Sequence, residues 1–400
     1  MKKERRVVAA IVTVVLSLAL LIPYSCKDKH ETPPQLVAQE NTSEFFVNED
    51  MAKTVAENFM RKTNPSLKST KNYKLEKIKD EMGEELIYVI NFDEGGFVLM
   101  PADNRVQPIL AFSDKNHFNT ENHKEVNGLS LWIDVMIKEI KLVRKSKVEQ
   151  NEEMKELWKK HITIFNLKDE GDPPDDPCVQ TTTTVGPLLT TIWRQGDGFN
   201  TYCPTEQDVE DDCGTCDCDF NTTYLGGHAR AGCLAVAMGQ IMYYHEYPNT
   251  YSWNLMPTGE TGNSYAADLL SDIGVDLSMD YQCGGSYAPV SNAVSVFEND
   301  YNYSTSATFT NYGYSDFSDI KIEINADRPV LFSGISVEGA HAWVCDGWRE
   351  SIICLNNLGY VYQYLSMNWG WGANEGNGFY HYNNLNGFTT TLQIVKGIKP

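Results

Sequence analysis

Gly226-Gly227-His228-Ala229-Arg230-Ala231-Gly232-Cys233-Leu234-Ala235-Val236-Ala237-Met238-Gly239-Gln240-Ile241-Met242-Tyr243-Tyr244 changes character at one residue. Before Cys233 the chain is glycine-rich and without periodicity; after it, small and apolar residues recur as in a buried helix, which Pro248 brings to an end. The thiol therefore falls in the first helical turn. A helix N-terminus carries about half a positive charge and free backbone donors, which favour thiolate over thiol. Two readings of Cys233 stand at this point: an activated nucleophile, or a small residue filling a packed interface.

Two further stretches bear on that choice. In Gly339-Ala340-His341-Ala342-Trp343-Val344-Cys345-Asp346-Gly347-Trp348 the apolar alternation marks a strand with His341 near its start. An imidazole is the group suited to take a thiol proton and return it to a leaving amine, although a lone strand histidine is more often structural. In Met367-Asn368-Trp369-Gly370-Trp371-Gly372 an amide and indoles sit at a strand end. Such groups are suited to orient a histidine and to shield it from water, and equally to pack a core. His228 and His245, near Cys233 in sequence, read as structural.

Outward from these stretches, 400 residues with 42% hydrophobic content allow two or three folded units. A net charge of -21 argues against a nucleic-acid partner, since phosphate binding rests on clustered Lys and Arg. Lys2, Lys3, Arg5 and Arg6 precede an apolar run over 7–22, shorter than the about 20 residues of a spanning helix, so residues 1–25 read as an export signal. The run ends in Ile22-Pro23-Tyr24-Ser25-Cys26, which resembles the processing box of bacterial lipoproteins. Cys26 then becomes a lipidated N-terminus, the chain's one attachment to a membrane; otherwise it is an ordinary or discarded thiol. Residues 26–44 read as a tether.

Residues 45–167 read as a small α+β unit: a helix over 46–62 with Asn48 or Glu49 near its start, strands over 86–91 and 97–100 around the turn 93–96, and an amphipathic helix over 129–148. Residues 168–178, rich in acids and prolines, form an exposed linker suited to proteolytic processing. The unit 179–400 carries the three stretches above. Within it Cys203, Cys213, Cys216 and Cys218 lie close together. Export favours disulfides among them; the spacing also admits a metal, but no second pair or histidine completes a site. None of the glycine-rich stretches has a nucleotide-binding pattern, so no cofactor is implied.

Taken together, these stretches resemble the streptopain family of papain-like cysteine peptidases. The matching residues run in order over most of 185–400: Gln195-Gly196, Gly232-Cys233, Gln240-Ile241-Met242, Tyr244-His245, Tyr247-Pro248, Asp272-Ile273-Gly274, Met279-Asp280-Tyr281, Ala340-His341-Ala342, Asn368-Trp369-Gly370-Trp371-Gly372 and the ending Gly397-Ile398-Lys399-Pro400. The unit 45–167 is more loosely similar to the family's inhibitory pro-domain. The resemblance implies an α+β fold in which a helix bearing the cysteine packs on an antiparallel sheet, preceded by a small α+β pro-domain that inhibits the enzyme intramolecularly. It implies hydrolysis of protein or peptide substrates without metal or cofactor; the signal and Cys26 in turn lead one to expect a bacterial cell-envelope lipoprotein on the outer surface, from which the mature enzyme can be released. It makes Cys233 the nucleophile and His341 the base, with Gln195 and the Cys233 amide as oxyanion donors, Asn368 and Trp369 holding and covering the histidine, and Gly339, Ala340 and Ser286 along the substrate path. Ala340 departs from the family's glycine before the histidine, and the stretch 203–218 has no counterpart. A silent adhesion protein on the same scaffold, or an amidase acting on cell-wall peptide, are the competing functions.

Overall fold

Asn48 accepts a hydrogen bond from the Met51 amide and so starts α1 (Glu49–Thr63), whose acidic first turn and basic last turn suit the helix dipole. The two apolar runs that follow become β2 (Glu85–Phe92) and β3 (Phe97–Pro101), flanked by β1 (Tyr73–Lys79) and β4 (Ala111–Ser113). The amphipathic stretch is α2 (Gly128–Lys145), and α3 (Glu152–Ile162), capped by Asn151, completes this N-terminal part. The C-terminal part runs β5 (Thr181–Val185), α4 (Glu206–Cys213), α5 (Cys233–His245), α6 (Ser264–Asp276), β6 (Asp280–Gln282), β7 (Gly285–Tyr287), α7 (Asn292–Asn299), β8 (Thr308–Asn311), α8 (Phe317–Asn325), β9 (Val330–Ile335), β10 (Ala340–Leu355), β11 (Leu358–Asn368), β12 (Gly378–His381) and β13 (Gln393–Lys396). The computed structural model describes residues 43–65, 69–120, 128–163, 178–313, 317–335, 340–355, 358–373, 375–381 and 392–400. The export signal, Cys26, residues 168–177 of the linker and Gly339 lie outside them.

Ten strands follow the order β1-β2-β3-β4-β12-β11-β10-β9-β13-β8, and β5 pairs with β10. All the pairings are antiparallel, as the sequence reading expected. The N-terminal part is not merely appended to the rest. Its last strand joins β12 through Phe112↔Phe379 and Ala111↔Tyr380, which merges two sheets into one. Each of these strands would otherwise leave an edge of unpaired N–H and C=O groups.

Strand alternation then sends β10 in two directions. Ala342 and Val344 pack with Leu234, Ala235, Val236 and Met238 of α5. Trp343 and Cys345 pack on the other face with Trp132, Ile133 and Met136 of α2. Each large side chain so buried stabilises by about 1.5–3 kcal/mol, so α2 is held on the sheet by several such contributions together.

Disulfides join Cys178 to Cys354, Cys213 to Cys216 and Cys218 to Cys283. The cysteine-rich stretch is thus stapled once within itself and once to a distant hairpin. Cys203, grouped with the others by sequence proximity, remains a buried free thiol.

Candidate active site

Gly232 sets the entry to α5. Its φ of 92° is left-handed, and a β-carbon there would lie 2.7 Å from Met279 Cε, so both conformation and space require glycine. Cys233 follows as the first helical residue, half-buried, with the Ala342 amide donating to its Sγ at 3.3 Å. Burial pushes this thiol above the usual cysteine range, and the amides of Ala342, Leu234 and Cys233 partly oppose the shift.

His341, next to Ala342 on β10, is 3% exposed. Its Nε2 lies 2.9 Å from the Trp369 carbonyl and 3.2 Å from the Trp371 indole nitrogen. One nitrogen cannot serve both at once. Protonated, it donates to Trp369; unprotonated, it accepts from Trp371. The imidazole lies nearly parallel to the Trp343 ring, at 12°. A β-carbon on Gly128 would fall 2.8 Å from His341 Cδ2 and 2.9 Å from both Trp343 and Trp369, so α2 begins directly on the histidine. Burial pushes the imidazole down to about 4, against the opposing pull of the Trp369 carbonyl. No hydrogen bond links His341 to Cys233 among the described residues; each has other partners. At neutral pH the pair therefore rests as thiol and neutral imidazole.

The remaining sequence-designated residues fall around this pair in different ways. Gln195 is 4% exposed, and its carbonyl accepts from Ala231, which places it beside the approach to Cys233. Ser286 donates from Oγ to the Arg230 carbonyl at 2.6 Å. Ala340 opens β10 and is exposed. Trp369 is fully buried between Trp343 and Tyr380, and it holds His341 by its carbonyl.

Asn368, expected to hold the ring, makes its described hydrogen bonds with other groups. Its Nδ2 donates to the Thr191 carbonyl at 2.8 Å and to Gln240 Oε1 at 3.3 Å, and its Oδ1 accepts from Gly370. It ties α5 to the strand end. The reason is positional: β11 ends on the α5 side of the sheet, whereas His341 is turned toward α2.

Three contributors were not singled out from the sequence. Trp371 and Gln240 were quoted within matching stretches but given no role of their own. Gln240 is fully buried in an otherwise apolar helix, a polar anomaly that is itself a signal. Asn377 accepts from the Trp369 amide at 2.8 Å. Beside Trp371 opens a cavity of about 450 Å³, lined also by Arg194, Tyr224, Arg230 and Cys283.

Asp346 supports the site from behind. It accepts from the amides of Leu188 through its carbonyl and Leu189 through Oδ2, fixing the segment that leads to Trp193 and Gln195. It is 3% exposed, and burial pushes its carboxyl up to about 7. The unfolded chain releases this proton near pH 4 and the folded chain near pH 7, so this group's contribution to stability falls as pH rises through that window and is constant above it. The difference is on the order of 4 kcal/mol. Asp346→Asn should accordingly gain stability relative to wild type between pH 4 and pH 8, measured by urea unfolding at a series of pH values; a difference that does not change with pH would show that the carboxyl is not held protonated.

The chain is similar to known proteins over most of its length. A model of the Peptidase C10 family matches residues 193–251 and 249–380, and a model of the Spi protease inhibitor matches residues 44–140. Streptopain of Streptococcus pyogenes serotype M1 is 26% identical over 89% of this chain and 92% of its own length. The chain is a streptopain-like cysteine peptidase. The thiol protease/hemagglutinin PrtT of Porphyromonas gingivalis is 24% identical over 88% of the chain, which spans 42% of that protein. A fragment of Prevotella intermedia prointerpain A shares the fold, with a TM-score of 0.56 and 21% identity over 82% of this chain and 99% of that one. This streptopain-like enzyme is made as a zymogen: its Spi-type N-terminal part inhibits, in the same chain, a peptidase that acts on proteins. The inhibitor match ends within α2, the helix whose first residue lies on His341.

Proposed function

We propose that Cys233 is the nucleophile and His341 the general base of this zymogen. The observation that carries the reading is the placement of Sγ at the start of a buried helix, against the backbone amide that directly follows His341. When the start of α2 leaves, His341 is free to turn from the Trp369 carbonyl toward Sγ and take its proton. The thiolate adds to a peptide carbonyl carbon, and the oxyanion rests on the Cys233 amide and the Gln195 side chain. The C–N bond breaks as the imidazolium protonates the leaving amine. Water, deprotonated by His341, then hydrolyses the thioester and restores the thiol.

In this reading Trp369 and Asn368 keep their strand end rigid behind the histidine, the first directly and the second through α5. Ser286, Gly339 and Ala340 border the substrate path. Residues 45–167 form the pro-domain, and 168–178 is where it is severed from the catalytic unit 179–400. Residues 1–25 direct export and Cys26 receives a lipid, with 26–44 as tether, which places the precursor on the cell envelope and allows release of the mature enzyme. Three disulfides suit an oxidising compartment.

Gly128→Val tests the inhibitory contact. Overpacking of this kind costs about 1–3 kcal/mol, so the precursor should mature, and Cys233 should react with iodoacetamide, about 10-fold faster than wild type. Rates equal to wild type in a folded precursor would mean that α2 does not restrain the histidine.

A further inference from the structure

The cysteine-rich stretch 203–218 takes no part in the chemistry above, yet a disulfide ties it to the cavity beside Trp371. Cys218 is bonded to Cys283, 65 positions away, in the turn between β6 and β7. These strands form a ribbon apart from the main sheet, with only three residue pairs: Asp280↔Tyr287, Tyr281↔Ser286 and Gln282↔Gly285. A two-stranded ribbon of this size is at best marginally stable by itself. It nevertheless flanks the turn that delivers Cys233. Ser286 holds the Arg230 carbonyl, and a β-carbon on Gly232 would meet Met279 at 2.7 Å and Ser286 at 3.5 Å. At the ribbon's tip, Cys283 lines the same cavity as Arg230 and Trp371, and Trp371 bonds His341.

We propose that the Cys218–Cys283 disulfide is a positioning element for substrate binding, a brace that fixes the β6–β7 ribbon as one wall of the cleft. The proposal rests on the reading that Ser286 borders the substrate path. With the brace cut, the ribbon keeps the Ser286 hydrogen bond, a contribution of about 1 kcal/mol, and the packing of Met279 and Tyr281 on the core. Open forms then become populated, and apparent substrate affinity falls in proportion to the closed fraction. Cys213–Cys216 staples only its own loop and has no such effect.

The test uses full-length precursors of Cys218→Ala/Cys283→Ala, Cys213→Ala/Cys216→Ala and Ser286→Ala, matured and assayed on peptides extended on both sides of the scissile bond. The first double variant should raise KM about 10-fold, with kcat and the alkylation rate of Cys233 within about 2-fold of wild type; the second should match wild type throughout. An unchanged KM in a folded Cys218→Ala/Cys283→Ala enzyme overturns the brace. If Ser286→Ala raises KM in that case, the ribbon still borders the substrate and only the brace is wrong; if Ser286→Ala also leaves KM unchanged, the ribbon itself is not part of the binding site. Should the double variant fail to fold, dithiothreitol makes this cut in the native enzyme together with those at Cys178–Cys354 and Cys213–Cys216, two electrons and two protons passing to each disulfide as the reagent closes to its cyclic disulfide. Complete reduction, counted by mass on an alkylated aliquot, should raise KM by the same factor, and an unchanged KM again overturns the proposal.

Discussion

Cys233→Ala should yield a folded, full-length precursor that neither matures nor cleaves casein, a loss of about 10⁴-fold or more. Removing Sγ deletes the atom that attacks, while the site loses little else: the thiol is half-buried, the Ala342 amide contacts it at 3.3 Å, and alanine continues the small residues of α5. His341→Ala should be equally inactive, because a thiol held above its usual range needs a base to become the attacking thiolate. The structural alternative predicts a different pattern. If Cys233 only fills space, its loss lowers thermal stability and leaves turnover in the surviving fold, whereas a nucleophile's loss leaves native-like circular dichroism and no turnover.

Gln195→Ala should retain measurable but slowed activity, with kcat reduced about 10²- to 10³-fold and KM little altered. The residue is buried, and its backbone is held to Ala231, so the side chain is presented from a fixed support two residues before the cysteine. The Cys233 amide remains in the variant, which is why activity should not vanish. Steady-state kinetics on the matured variant gives the answer. A kcat equal to wild type would remove Gln195 from the oxyanion site, and a loss as complete as that of Cys233→Ala would point instead to collapse of the support.

Much of this site was legible in the sequence because its signals are local. The break in pattern at Gly232-Cys233 fixes where α5 begins, and the alternation after His341 fixes β10; in both cases the structure starts the element within a residue of the expected place. What was not legible depends on segments far apart in the chain meeting. Phe112 and Phe379 are neighbours across β4 and β12, but nothing in either short strand names its partner. Cysteine spacing marked 203–218 as special without revealing that Cys218 would choose Cys283 over its neighbours. Gly128 reads as an unremarkable residue before an amphipathic helix; only the landing of α2 on His341 gives the missing side chain a purpose. Asn368 stands at its strand end as expected, and its hydrogen bonds to Thr191 and Gln240 were not legible because they join segments far apart in the chain.

In the proposed mechanism the thiol of Cys233, rather than that of Cys203 or Cys345, forms the covalent intermediate. Both of the others are buried, with thiols pushed up by burial: Cys203 to about 12, and Cys345 well above its usual range. The most direct test is to treat the matured enzyme with a peptide chloromethyl ketone, and to locate the adduct by mass spectrometry of the digested protein alongside residual activity. One adduct per molecule is expected, on Cys233, formed in step with the loss of activity and absent from the precursor at the same exposure. Inactivation with the adduct on Cys203 or Cys345, or with Cys233 still free, would contradict this mechanism.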